Sequence, residues 1–150
     1  MSNTVVNDRW LSGETMVKNS NIPFGLGWDV HVVTDYPEAR QGHFVSTERL
    51  HRMVQAMTGR DANEFAAISI KYEATQSYVI AIFRGNTGLD VTPGRIIELI
   101  CHECSHVADY MFSAGGLVPC TETRAYTVDW LVRMVGAAVL PVLWEPKALR

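Results

Sequence analysis

The stretch from Glu98 to Phe112, ELICHECSHVADYMF, constrains this chain more than any other. It holds His102, Glu103 and His106 in the spacing H-E-x-x-H, inside a run of helical periodicity. Thr92 stands as N-cap before Pro93, whose missing N–H costs nothing in a first turn, and Gly115-Gly116 supplies a stop. At about 100° per residue, Ile96, Ile97, Ile100, Cys101, Cys104, Val107, Ala108, Met111 and Phe112 fill one apolar arc. Glu98, His102, Glu103, His106, Asp109 and Tyr110 share the other, with Leu99 as the one intruder. The fold must therefore give this helix a core on one side and a cleft or solvent on the other. Two histidines four apart lie one turn above each other, so both rings can reach one metal ion. Zinc accepts imidazole nitrogen readily, and a glutamate beside the first histidine can act as general base. The bland alternative is two solvated histidines on an amphipathic helix.

No histidine follows His106 and position 112 is Phe, which excludes the metzincin arrangement H-E-x-x-H-x-x-G-x-x-H. An acid or a thiolate must complete the ligand set. Glu122 is the best candidate because it opens a second helical run, TETRAYTVDWLVRMV. Thr121 can cap that helix, and Ala125, Val128, Leu131, Val132 and Val135 give it an apolar side. Glu122, Tyr126, Asp129 and Arg133 form one polar line along it. A connection of this length lets the second helix fold back and present Glu122 to the two histidines. His102, His106 and Glu122 with one open position make a catalytic rather than a structural zinc (Zn2+) site. The competing reading is a first-turn acid favoured by the helix dipole. Cys120, two residues before Glu122, is the thiol that falls nearest this site.

The pattern H-E-C-S-H followed by a glutamate on the next helix resembles small gluzincin-type zinc peptidases. The segment E-T-R-A-Y-T-V-D-W-L is similar to the E-x-x-A-x-x-x-x-x-L segment of ImmA/IrrE-like peptidases and of small phage-encoded metallopeptidases. The resemblance covers about residues 68 to 135 and is specific only at the two helices. It implies a zincin-like fold, zinc held by His102, His106 and Glu122, and Glu103 as general base. Larger gluzincins place an Asp four residues after the ligand Glu, and here that position is Tyr126. Asp129 or Asp109 is left to orient a histidine, and the efficiency of cleavage is what the departure affects.

At 150 residues the chain suits one domain with a real core, and 47% hydrophobic with 19% charged residues is ordinary for a soluble protein. A net charge of −3 and no basic cluster argue against a nucleic-acid binder. The first residues lack the basic-then-apolar order of a secretory signal. The apolar run from Met134 to Trp144 is too short for a membrane span and holds Pro141. The three cysteines cannot all pair within the chain, and in a cytosolic setting they would be reduced. A cytoplasmic location is expected, in the host cytoplasm or the virion if the chain is phage-encoded. Cys101 and Cys104 form a C-x-x-C, but both fall on the apolar arc and read as buried small hydrophobes.

In chain order, residues 1–20 read as a flexible polar arm, 21–135 as one zincin-like domain, and 136–150 as an apolar tail. Strands are expected over Trp28–Thr34, Glu64–Glu73 and Ser77–Arg84, the last two as an antiparallel hairpin. A helix is expected over Glu48–Met57, capped by Ser46 or Thr47 and ended near Gly59. His31 falls in a strand, His43 in a loop and His51 on a helix surface. The expected class is α+β, with helices on one face of a small antiparallel sheet. The resemblance implies that SYVIAIFR is the cleft-edge strand that pairs with an extended peptide.

Two functions compete. One is a peptidase acting on a polypeptide substrate, with Glu103 moving the proton and Tyr110 or Tyr126 stabilising the oxyanion. The other is a phage virion structural or assembly protein that keeps the fold, binds other phage structural proteins, and oligomerises through its tail.

Overall fold

The computed structural model describes residues 29–37, 43–73, 77–86, 92–116, 118 and 120–139. The expected arm at 1–20 and the tail beyond Val139 lie outside the described residues. Strands β1 (Asp29–Thr34), β2 (His43–Phe44), β3 (Ala67–Tyr72) and β4 (Ser77–Ile82) form one sheet in the order β2-β1-β4-β3. Helices α1 (Thr47–Thr58), α2 (Pro93–Ala114) and α3 (Thr121–Val139) complete the described elements, with a 3-10 turn over Ala62–Glu64. No helix among the described residues is long and apolar enough to cross a membrane.

The α+β class holds, but two of its expected details do not. The sheet is mixed rather than antiparallel: β1 runs parallel to β2 and β4, and only β3 pairs antiparallel with β4. Helices also cover both faces rather than one. Side chains alternate along a strand, so Val30, Val32, Tyr78, Ile80 and Ile82 bury one face under α2 and α3. Val33, Val79, Ala81 and Phe83 bury the other under Leu50, Met53 and Val54 of α1. His43, expected in a loop, belongs to the short strand β2.

SYVIAI is not the edge strand. It is buried at every position and hydrogen-bonded on both sides, to β1 and to β3. A strand covered on both faces needs a continuous apolar run, and this sequence supplies one. The described sheet has two edges, the two-residue β2 and the longer β3, whose sequence AISIKY mixes buried, partly exposed and exposed positions.

Local chemistry fixes the helix ends. Ser46 Oγ accepts from Arg49 N at 3.2 Å to start α1, and Gly59 ends it at φ 70°, a conformation costly for any side chain. Thr92 Oγ1 accepts from Arg95 N at 3.2 Å to start α2. The last helix runs past the expected Val135 to Val139, with Gly136, Ala138 and Val139 buried.

One polar knot ties the ends of β1 and β4 to α1. The Asp35 carboxylate accepts from the backbone N–H groups of Arg84 and Gly85 and from the Thr47 hydroxyl. Gly85 is required by close approach, since a Cβ there would meet Thr47 Cγ2 at 2.6 Å. Next to it, Asn86 Nδ2 donates to the carbonyls of Ala62 (2.7 Å) and Phe65 (2.9 Å), and its Oδ1 pairs with His51 Nε2. That pins the turn leading into β3.

Candidate functional site

α2 lies over the sheet with its polar face turned along β3, and a cleft opens between them. One depression of about 300 Å³ is lined by Arg60, Phe65, Ile68, Ser69, His106 and Tyr110, together with His102, Glu103 and Ala67. An adjoining one of about 260 Å³ shares His102, Glu103 and Ala67 and continues to Arg95, Glu98 and Leu99. Leu99, the apolar intruder on the polar arc, is buried and seats this side of the helix toward Ala67. Glu103 stands one turn after it.

The two imidazoles converge. His102 Nε2 and His106 Nε2 lie 3.1 Å apart, with ring centroids at 4.8 Å and planes 81° apart. Two nitrogens bound to one tetrahedral zinc ion at ~2.05 Å would be about 3.3 Å apart. At 3.1 Å one ring's N–H donates to the other ring's Nε2, and the separation is close to that of two ligands on one ion. Glu103 Oε1 is 4.0 Å from His102 Nε2, and the Glu103 side chain is 7% exposed against 66% for His102. A buried carboxylate thus sits beside two accessible ring nitrogens, the arrangement the H-E-x-x-H spacing leads one to expect.

The third ligand is not with them. Among the described residues no three His, Cys, Asp or Glu side chains are grouped so as to hold a metal ion. Glu122 in this arrangement does not join the imidazole pair. The cause is the rotation of α3. Arg124 Nε and Nη2 reach the Asp109 carboxylate at 3.0 and 3.3 Å, and Nη2 reaches Ser105 Oγ at 2.7 Å. That fork turns the Arg124 side of the first turn toward α2. Glu122, two residues earlier, projects about 200° around the helix from Arg124 and about 180° from the buried Leu131. It is exposed.

Other candidates are also settled in place. Asp129 pairs with Arg133 at 3.6 Å on the exposed side of α3, and Asp109 is engaged by Arg124. Tyr126 is 68% exposed and does not line the cleft, whereas Tyr110 does, its ring stacked on Tyr78 at 6.2 Å between centroids. Burial pushes the Tyr78 hydroxyl up to about 12. Cys120 Sγ lies 3.1 Å from Thr123 Oγ1 at the start of α3, and hydrogen bonding there lowers its thiol pKa. Cys104 is buried and its pKa is raised by desolvation. Cys101 is exposed, contrary to expectation, because the apolar arc of α2 is wider than the surfaces packed on it; Ile97 is left 39% exposed for the same reason.

Sequence reasoning missed Arg60 and Phe65. They stand some forty residues before the histidines and reach the cleft only through the turn that Asn86 pins. No spacing rule links them to H-E-x-x-H. Comparison of the chain with protein-family models, with curated proteins and with solved structures gives no match.

Proposed function

We propose that this chain is a zinc-dependent peptidase working in the cleft between α2 and β3. The observation that carries the reading is the imidazole pair, 3.1 Å between Nε2 atoms, with the buried Glu103 carboxylate beside it. His102 and His106 would hold the ion, and Glu122 is the third ligand the sequence offers once the first turn of α3 reorients. Zinc held there would supply a Lewis acid for the scissile carbonyl and would acidify the attacking water. Glu103 takes the proton from that water and delivers it to the leaving nitrogen. Its enclosure between α2 and Ala67 limits competition from bulk solvent. Tyr110, on the cleft wall one turn beyond His106, carries a hydroxyl suited to steadying the developing oxyanion. The outer edge of β3 offers backbone groups to an extended peptide.

The test is Glu103→Gln. Zinc content and thermal stability should be retained while cleavage of an unfolded protein falls by roughly 10²–10⁴-fold. Retained cleavage would remove Glu103 from the role of base, and lost zinc would make it a ligand instead.

One observation favours the alternative of a virion or assembly protein with a residual metal site, namely Glu122 standing off the imidazole pair. That reading expects incorporation into a large assembly on size-exclusion chromatography, with no turnover in the presence of zinc.

A further inference from the structure

Arg60 lines the same depression as His102, Glu103 and His106. It follows Gly59, where α1 ends. Its guanidinium lies over the Phe65 ring, 4.5 Å from the centroid, and Asn86 holds the Phe65 backbone. A guanidinium carries five N–H donors in one plane. Among the described residues the Arg60 side chain has a single polar partner, Glu64, through Nη2 to Oε2 at 3.4 Å, with both side chains more than half exposed. An exposed contact of that length is worth little. Arg124 is the contrast, since its fork is spent on Asp109 and Ser105. Arg60 is held in position by its cation–π contact with Phe65, with most of its donors unspent.

We propose that Arg60 binds a carboxylate of the peptide in the cleft and thereby sets its direction. This deepens the peptidase reading and rests on a peptide occupying that cleft. A peptide pairing antiparallel with β3 on the side away from β4 runs its C-terminal end toward Ala67, where β3 begins, and so toward Arg60 and Phe65. A cation at that end meets the place where a peptide carries its own α-carboxylate. A terminal Asp or Glu side chain offers the same chemistry. The planar fork over an aromatic ring suits a flat carboxylate, and the Glu103 carboxylate in the same depression disfavours a multiply charged phosphate.

Calorimetry on the intact chain tests this with three acetylated pentapeptides. One is a free acid, one is its C-terminal amide, and one is an amide whose last residue is Asp. The free acid should bind about five- to tenfold more tightly than the plain amide at low salt, with the difference shrinking as salt rises. Affinity restored in the Asp amide assigns the site to any carboxylate at that position; affinity in the free acid alone assigns it to the α-carboxylate. Arg60→Gln should erase the preference at unchanged melting temperature. Glu64→Gln should strengthen it by removing the competing carboxylate, an effect that a merely structural Arg60 would not produce. Equal binding of acid and amides, no binding of any, or a preference that survives Arg60→Gln overturns the proposal. Cleavage is scored separately. Carboxylate-selective binding without turnover removes the hydrolase reading and leaves Arg60 in its role, while turnover with no carboxylate preference does the reverse.

Discussion

Two polar clusters in this molecule differ in what they leave over. Around Asp35 the chain supplies the partners: two backbone N–H groups and the Thr47 hydroxyl meet one carboxylate, and beside it Asn86 bridges two carbonyls and His51. Along the cleft, two exposed imidazoles share one hydrogen bond with each other, a buried carboxylate 4.0 Å from the nearer one accepts none among the described residues, and a guanidinium has one long contact. A cluster whose hydrogen-bonding capacity is used internally fixes geometry. One that keeps capacity in a concave, partly buried place is shaped to receive something from outside.

The sharpest way to break this comparison is to mutate the two carboxylates. Asp35→Ala strips the partner from three donors at once and should destabilise the fold by about 2–4 kcal/mol in urea unfolding. A loss under ~1 kcal/mol would mean the knot is not structural.

His31 sharpens it from within the sheet. It is buried in β1, on the side of Val33 that faces α1. Burial lowers its pKa below the ordinary 6.5, with Asp29 opposing in part. As pH falls, the unfolded chain therefore takes up this proton before the folded one. Stability present above pH 6.5 should decline as pH drops through and below that value. His31→Phe should flatten this part of the profile; an unchanged slope would remove His31 as its source.

The smallest effect belongs to the other carboxylate. Glu103→Gln replaces a buried charge that accepts no donor among the hydrogen bonds described, so stability should hold or rise by up to ~1 kcal/mol. A loss as large as that of Asp35→Ala would erase the distinction between the clusters.

The sequence made α2 legible because everything that defines it is local. Thr92, Pro93 and the 3.6-residue period predict the observed Pro93–Ala114 closely, and the His102–His106 pair follows from helix geometry alone. Strand order is a different matter. The unbroken apolar run YVIAI already carries the pattern of a strand covered on both faces, and Lys71 in AISIKY that of an edge; a likeness to other proteins pointed to the wrong one. Glu122 was illegible for another reason. Its direction depends on how α3 is rotated, and that is set by Arg124 meeting Asp109 fifteen residues away. Arg60 enters the cleft only through a turn that Asn86 holds from a distant strand end.

Metal analysis of the purified chain beside the His102→Ala/His106→Ala double variant tests the central claim most directly. The imidazole pair as a chelate predicts about one zinc per chain in the parent and none in the double variant, with both folded. Zinc absent from the parent after reconstitution, or retained when both rings are gone, would contradict it.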